Sequence, residues 1–442
     1  MRQKIRLRSA TDVKLQRIQN TLEELMIQVR NNALDRQKVR KRYAGCLLSI
    51  FALLFATPAR AQQPQATRAS MEIFGFAMLD MGHDFRTIDP NWFDTMRVTK
   101  LPSFEGEFGE NDNTFAGVRQ SRFGVKTSSP TSLGELKTNF EFELSGVGVD
   151  EGQTTFRLRH AYGELGHFGA GQTWSPFMDP DVFPNSLEYW GPTGMVFFRN
   201  VQFRWMPLQG DTNVTIALER PGASGDPGNL AGRNEIANIR GRFPVPDLTG
   251  QFTFGRKWGY FRVAGALRRI NWDDTLPDAF DLSGHATGWG VNISSNINLG
   301  DNKKNVFRLQ YVWVEGIENY MNDSPVDVGI QPNFGDPVRP IKGEPLPIVG
   351  IVAFLDHKWG EKRSSTAGYS RQDINNSDGQ APYAFKMGEY ALGNLLYYPA
   401  PNVMLGGEFQ WGRRENFLDG FHSDGIKVQF SFKYNFSYKV GG

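Results

Sequence analysis

The chain has 442 residues, 40% of them hydrophobic, and a mean hydropathy of −0.43. That value excludes a bundle of apolar membrane helices but not a membrane barrel, whose alternating residues average out to the same figure. Residues 1–61 hold 13 of the 49 basic and 4 of the 47 acidic residues, leaving 36 basic against 43 acidic in the body; this excludes a nucleic-acid footprint on the body, and a lone Cys46 excludes an internal disulfide or a cysteine-built metal site.

Residues 1–41 read as a basic extension. Leu15, Ile18, Leu22, Leu25 and Val29 follow heptad spacing there, over too short a stretch for a coiled coil to be expected. Residues 42–61 read as a signal peptide: a basic patch ending at Arg42, an apolar run from Ala44 to Ala56, then the small-x-small site Ala59-Arg60-Ala61. The apolar run is too short to span a bilayer as a helix. Cleavage is expected after Ala61. Cys46 opens the apolar run instead of following it, so a lipid anchor is not expected. A start of translation near the basic patch would leave residues 1–41 out of the protein altogether.

After a linker at 62–70, period-two alternation recurs from 71 to 438, with 439–442 left as a tail. The last strand is the clearest. Ile426, Val428, Phe430, Phe432, Tyr434, Phe436 and Tyr438 share one face, and Lys427, Gln429, Ser431, Lys433 and Asn435 share the other. Leu136, Phe140, Phe142 and Leu144 alternate with Lys137, Asn139, Glu141 and Glu143, and Phe307, Leu309, Tyr311 and Trp313 with Arg308 and Gln310.

A soluble sandwich would also alternate; the connections separate the two. Short turns are expected near 128–134, 165–167, 207–211, 256–259, 300–304, 359–362 and 399–402. Long connections are expected near 86–113, 147–152, 175–194, 221–245, 273–283, 317–345, 373–382 and 415–423. The two kinds interleave, as they do in an outer-membrane barrel. This predicts an all-β fold, a transmembrane antiparallel barrel of about sixteen strands with both ends on the turn side. Residues 234–246 are assigned to the fourth loop, because an extra strand would break that topology. Trp205, Trp258, Trp313, Trp359, Tyr397 and Trp411 lie near strand ends, as interfacial aromatic girdles require.

Four stretches carry a family resemblance: Val-Arg-Gln-Ser-Arg-Phe-Gly-Val-Lys (118–126), Arg-Leu-Arg-His-Ala-Tyr-Gly (157–163), Gly-Gln-Thr-Trp-Ser-Pro-Phe-Met-Asp-Pro (171–180) and Ala-Leu-Glu-Arg-Pro-Gly (217–222). On these the chain resembles the DcaP-like family of outer-membrane channels. The resemblance implies a sixteen-stranded homotrimer and uptake of small anionic solutes such as dicarboxylates and aromatic carboxylates. Family members can carry a periplasmic coiled coil between signal and barrel. Here only residues 62–70 lie between them, so none is expected.

The loop at 175–194 follows the fifth strand, the position from which sixteen-stranded porins fold a loop into the lumen. A constriction is therefore expected from Thr173, Trp174, Ser175, Phe177, Asp179, Asp181 and Glu188. Strand parity supplies a basic wall opposite them: Arg122 and Lys126, Lys137, Arg157 and Arg159, Arg204, Arg262 and Arg268, and Arg308. Arg119 joins this group with the opposite parity to Arg122. Guanidiniums in a narrow lumen concentrate anions and grip carboxylates. The alternative for each base singly is a salt bridge to lumen acids such as Glu141, Glu143 or Glu164. Parity sends His160 and Tyr162 to the lipid side.

No Gly-x-Ser-x-Gly elbow, zinc signature, phosphate loop or dinucleotide fingerprint occurs. No enzymatic activity, cofactor or metal is expected, and no nucleic-acid partner. Outer-membrane lipid and lipopolysaccharide are the expected surroundings. Two further readings stay open: a general porin without charge preference, and a plugged barrel serving as a surface antigen or adhesin.

Overall fold

A computed structural model describes residues 68–300 and 303–441. The expected extension, signal peptide and most of the linker lie outside the described residues. No helix among them is long and apolar enough to cross a membrane; the crossing elements are strands.

Sixteen antiparallel strands close into one barrel. They are β1 (Ser70–Asp84), β2 (Asn113–Gly117 and Arg122–Thr131), β3 (Gly134–Ser145), β4 (Thr154–Leu165), β5 (Phe168–Trp174), β6 (Arg199–Leu208), β7 (Thr212–Glu219) and β8 (Ile239–Arg242 and Asp247–Arg256). There follow β9 (Gly259–Asp274), β10 (Gly284–Leu299), β11 (Asn305–Glu315), β12 (Pro347–Lys358), β13 (Arg363–Ile374), β14 (Phe385–Tyr397), β15 (Val403–Asn416) and β16 (His422–Gly441). Closure is made by β1 and β16, in register from Ser70↔Gly441 to Asp84↔Lys427. β16 thus runs through Lys439 and Val440, beyond the end at 438 expected from alternation; pairing with β1 keeps those residues extended. The segment at 239–242 is not an extra strand. It pairs with the end of β9 and prolongs β8 beyond a break at 243–246, so the even count holds.

The barrel is inside-out relative to a soluble β-protein. On β16, Phe430, Phe432 and Tyr434 are exposed, whereas Lys427 and Gln429 are wholly buried. Apolar residues facing out and polar residues facing a lumen are what a lipid surround demands. Strand edges vanish on closure, so every strand's backbone groups can pair without water.

The lumen contains an apolar core. Met96, Val98 and Leu101 from the first loop, Phe177, Met178, Met195 and Val196 from the third, and Ile317, Tyr320 and Leu346 from the sixth pack together. They lie against wall residues Val312, Val314, Ile348, Val352, Phe354 and Tyr390. Three loops therefore fold inward onto the inner faces of β11–β14. The sixth also carries a small hairpin, Val328–Pro332 paired with Ile341–Pro345.

Candidate functional site

The inner faces of β2, β3, β4 and β6 carry a ladder of charge. Glu143 on β3 has a fully buried side chain. Arg159 donates to it, Arg157 lies 3.3 Å away, Arg199 3.5 Å and Arg122 3.8 Å. Arg159 also donates to Glu141 at 2.6 Å. Four guanidiniums thus share two carboxylates, and the cluster keeps a positive excess. A buried carboxylate tolerates ionisation only when it is paired and hydrogen-bonded; Tyr189 supplies a further hydroxyl donor to Glu143.

A bulge makes the ladder. Glu141 pairs with His160 and Phe142 with Leu158, leaving Arg159 as the extra residue on β4. A bulge re-aims side chains on one side of it. Before it, Phe156 and Leu158 face out and Arg157 faces in. After it, His160 and Tyr162 face in, which corrects the parity that sent them to lipid. His160 is buried and bonds the Thr173 hydroxyl at 2.9 Å, and Tyr162 lies under the Arg204 guanidinium at 4.6 Å.

The third loop, 175–198, lies against the inner wall. Thr173 and Trp174 end β5, and Trp174 packs within 5.5 Å of Arg159 and 4.9 Å of Arg199. Ser175 donates to Glu219 at 2.7 Å. Phe177 is wholly buried in the lumen core, and its carbonyl accepts from Asn292 at 2.8 Å. Asp179 accepts from Tyr260 at 2.8 Å and from Ser294. The Asp181 carbonyl accepts from Asn296 at 2.7 Å and from Arg308, while its side chain is exposed. Further along, Asn185 accepts from Thr366 and Asn394, and the Leu187 and Glu188 N–H groups donate to Glu408 at 2.8 and 3.0 Å. The loop therefore touches β9 to β15 in succession. Gly194, at φ +72°, lets it approach closely: a Cβ there would meet the Arg371 carbonyl at 2.5 Å.

Glu188 itself is buried, accepts from the Met96 N–H at 3.2 Å and from Gly191, and has its carboxyl pushed up to about 7 by that burial. Between loop and ladder lies a cavity of 430 Å³. Arg122, Arg159 and Lys433 line one side, and Pro180, Phe183 and Asn185 the other.

The remaining predicted bases do other work. Arg262 donates to the carbonyls of Pro176 and Met178 at 2.8 and 2.6 Å, and Arg308 to Asp356 at 2.6 Å, so both hold the loop or its wall. Arg268 is fully buried between Asp247 at 2.6 Å and Asp327 at 3.3 Å beneath the sixth loop. Arg119 sits in the break of β2, buried against Asp94 at 3.0 Å. Arg204 donates to the Trp174 carbonyl at 3.2 Å. Lys126 lies 4.3 Å from the Phe74 ring, and Lys137 3.4 Å from Glu135, both toward the turn end. Sequence reasoning missed Arg199, at the first position of β6 where a two-residue alternation has not yet started, and Lys433, which alternation alone placed on the polar face of β16.

No curated protein matches the chain. Among solved structures it is similar to the outer membrane channel DcaP of Acinetobacter baumannii, at 21% identity and a TM-score of 0.69, covering 85% of this chain and all of that one. It is also similar to an anion-selective porin from Comamonas acidovorans, at 10% identity and a TM-score of 0.52 over 84% of this chain and all of that one. A loop-deletion mutant of OmpT from Vibrio cholerae shares 13% identity and a TM-score of 0.50 over 83% and 99% of the two chains. The family described as DcaP outer membrane protein matches residues 105–436, from within the first loop to the last strand. With that span and a closed sixteen-stranded barrel, the chain belongs to the DcaP outer membrane protein family and is an outer-membrane β-barrel channel.

Proposed function

We propose that the channel passes small solutes by diffusion and favours anions, with dicarboxylates and aromatic carboxylates as the fitting substrates. The observation that carries this is the sharing of Glu143 and Glu141 among Arg122, Arg157, Arg159 and Arg199, of which Arg122 and Arg159 line the 430 Å³ cavity. Excess positive charge on a low-dielectric wall raises the local concentration of anions, and paired guanidiniums suit carboxylates geometrically. Trp174, Phe197 and Phe183 continue the wall next to the bases, with successive ring centroids 5.3 and 5.7 Å apart. A flat aromatic acid would meet apolar surface and charge together. The body's acidic balance makes placement, not bulk charge, the source of selectivity.

In this reading the 175–198 loop is the constriction. Asp181 is its solvent-facing acid, and Asp179 and Glu188 are anchors. A homotrimer, proposed from family membership, would be checked by native mass spectrometry of the detergent-extracted protein. The apolar core inside the lumen favours a second reading, a barrel closed by its loops that serves at the surface.

The deciding experiment is the reversal potential of the purified, refolded protein in a planar bilayer under a salt gradient. Stepwise conductance with the sign for anions is expected. A cation-selective or neutral step would sink the anion reading and leave a general porin. No conductance from folded protein would favour the closed barrel.

A further inference from the structure

The turn end of the barrel is electrically lopsided. The β8–β9 turn carries Arg256 and Lys257 beside Trp258, all exposed. The β10–β11 turn carries exposed Lys303 and Lys304. The β12–β13 turn carries exposed Lys358, Lys362 and Arg363 around Trp359, which is 64% exposed. These three turns are neighbours around the rim, because β8 to β13 pair in sequence. Against their cations stand Glu361 and, in sequence, Asp301. Elsewhere on the same rim cations are interspersed with acids: Lys126, Lys137, Arg204 and Lys439 lie near Glu72, Glu135 and Glu164, the β6–β7 turn carries Asp211, and the β14–β15 turn at 399–402 has no charge.

Two of the cations sit at the edge of the lipid-facing belt. The Arg256 guanidinium lies 3.5 Å from the centre of the Phe254 ring, and that of Arg363 lies 6.0 Å from the Tyr397 ring. Arg363 pairs across to Tyr397, which faces out, so both point to the membrane side of the wall. Trp359 stacks edge-on with His357 at 4.3 Å on the same side. Cations just beyond an apolar band, interleaved with exposed tryptophans, match the depth at which lipid headgroups lie. A soluble polyanion would need no aromatic residues there.

We infer that the β8–β13 sector of the turn end binds anionic phospholipid headgroups of the adjoining leaflet, their phosphates lying among these lysines and arginines while the acyl chains follow the outward apolar faces. The sector would orient the barrel in its membrane. Each basic residue near an anionic leaflet contributes roughly a fivefold preference, and salt weakens it.

The test uses the full refolded protein in phosphatidylcholine vesicles doped with brominated phosphatidylglycerol or brominated phosphatidylcholine. Tryptophan quenching is read, and Trp258→Phe with Trp359→Phe assigns the local signal. The expected result is phosphatidylglycerol preferred about fivefold or more at low salt. That preference should fall by about fivefold or more in Lys257→Gln/Lys303→Gln/Lys358→Gln/Lys362→Gln, which leaves Arg256, Lys304 and Arg363 in place and whose folding is checked by heat-modifiable migration on a gel. Equal quenching by the two lipids in the unmodified protein, or an undiminished preference in the quadruple variant, would overturn the inference. Loss of the preference on adding millimolar inorganic phosphate, beyond what chloride of equal ionic strength causes, would reassign the sector to free phosphate and overturn the lipid occupant.

Discussion

Arg159 and Glu143 meet on the inner wall as a buried ion pair, with side-chain exposures of 3% and 0%. The pair exists because a bulge leaves Arg159 unmatched on β4 and aims it at the neighbouring strand's acid. Glu143 holds three further arginines in reach, so it restrains the ladder as well as neutralising it.

Glu143→Gln should therefore strengthen anion preference while weakening the fold. Removing one partner of a buried charge cluster costs about 3–5 kcal/mol. The expected result is a larger anionic reversal potential together with a lower midpoint in denaturant-induced unfolding. An unchanged reversal potential would place the ladder away from the ion path.

Arg157 keeps a quarter of its side chain exposed and has no carboxylate of its own closer than 3.3 Å. Arg157→Glu should lower or reverse anion preference, and Arg157→Glu with Arg159→Glu should do so further at a cost in stability. Arg268→Met is the control. It leaves Asp247 and Asp327 unpaired beneath the sixth loop, so it should destabilise by about 3–5 kcal/mol without moving the reversal potential, since Arg268 lies beneath that loop and does not line the cavity.

Arg262 ties the 175–198 loop to β9 through two carbonyls. Arg262→Ala frees both acceptors and should loosen the loop, raising single-channel conductance and its noise. Each hydrogen bond from a charged donor is worth about 1.5–3 kcal/mol. Hydrogen exchange across 176–182 would read the same loosening. Protection equal to that of the unmodified protein would show that the remaining contacts suffice.

Glu188 gives the loop a pH dependence. Burial raises its carboxyl from the ordinary 4.5 to about 7. The undocked loop gives up its proton near 4.5 and the docked loop near 7. Docking is therefore most favourable below 4.5, weakens between about 4.5 and 7, and is weakest above. The full span is worth about 3 kcal/mol. Exchange of the 186–191 amides should rise from pH 5 to pH 8 beyond the intrinsic rate, and Glu188→Gln should flatten that rise.

The barrel was legible in the chain because its causes are local. Alternation with period two, short turns against long loops, and an even strand number follow from residues read in order, as on β16, where Phe430, Phe432 and Tyr434 face out and Lys427 and Gln429 face in. The basic face of β4 was legible too, up to Arg159. Beyond it simple alternation assigns the wrong faces, because one unmatched residue turns every later side chain over, and pairing with β3 alone decides where that residue falls.

What only the tertiary structure decided is how the lumen is filled. Val312 and Val314 alternate with Tyr311 and Trp313, so the second half of β11 is apolar on both faces and, unlike the Phe307–Gln310 half, carries no period-two signal that tells inside from outside. Its inner face is apolar because Phe177, Met195 and Tyr320 from two loops, distant in sequence, must bury against it. The same packing takes Arg262, Arg268 and Arg308 into anchoring contacts and leaves Arg122 and Arg159 on the opposite wall lining the cavity, with Arg157 and Arg199 in reach of the same Glu143. Sequence determined that the chain is a barrel with an inward basic face. Which bases stay beside open space depended on long-range burial of loop side chains, and no local period encodes that.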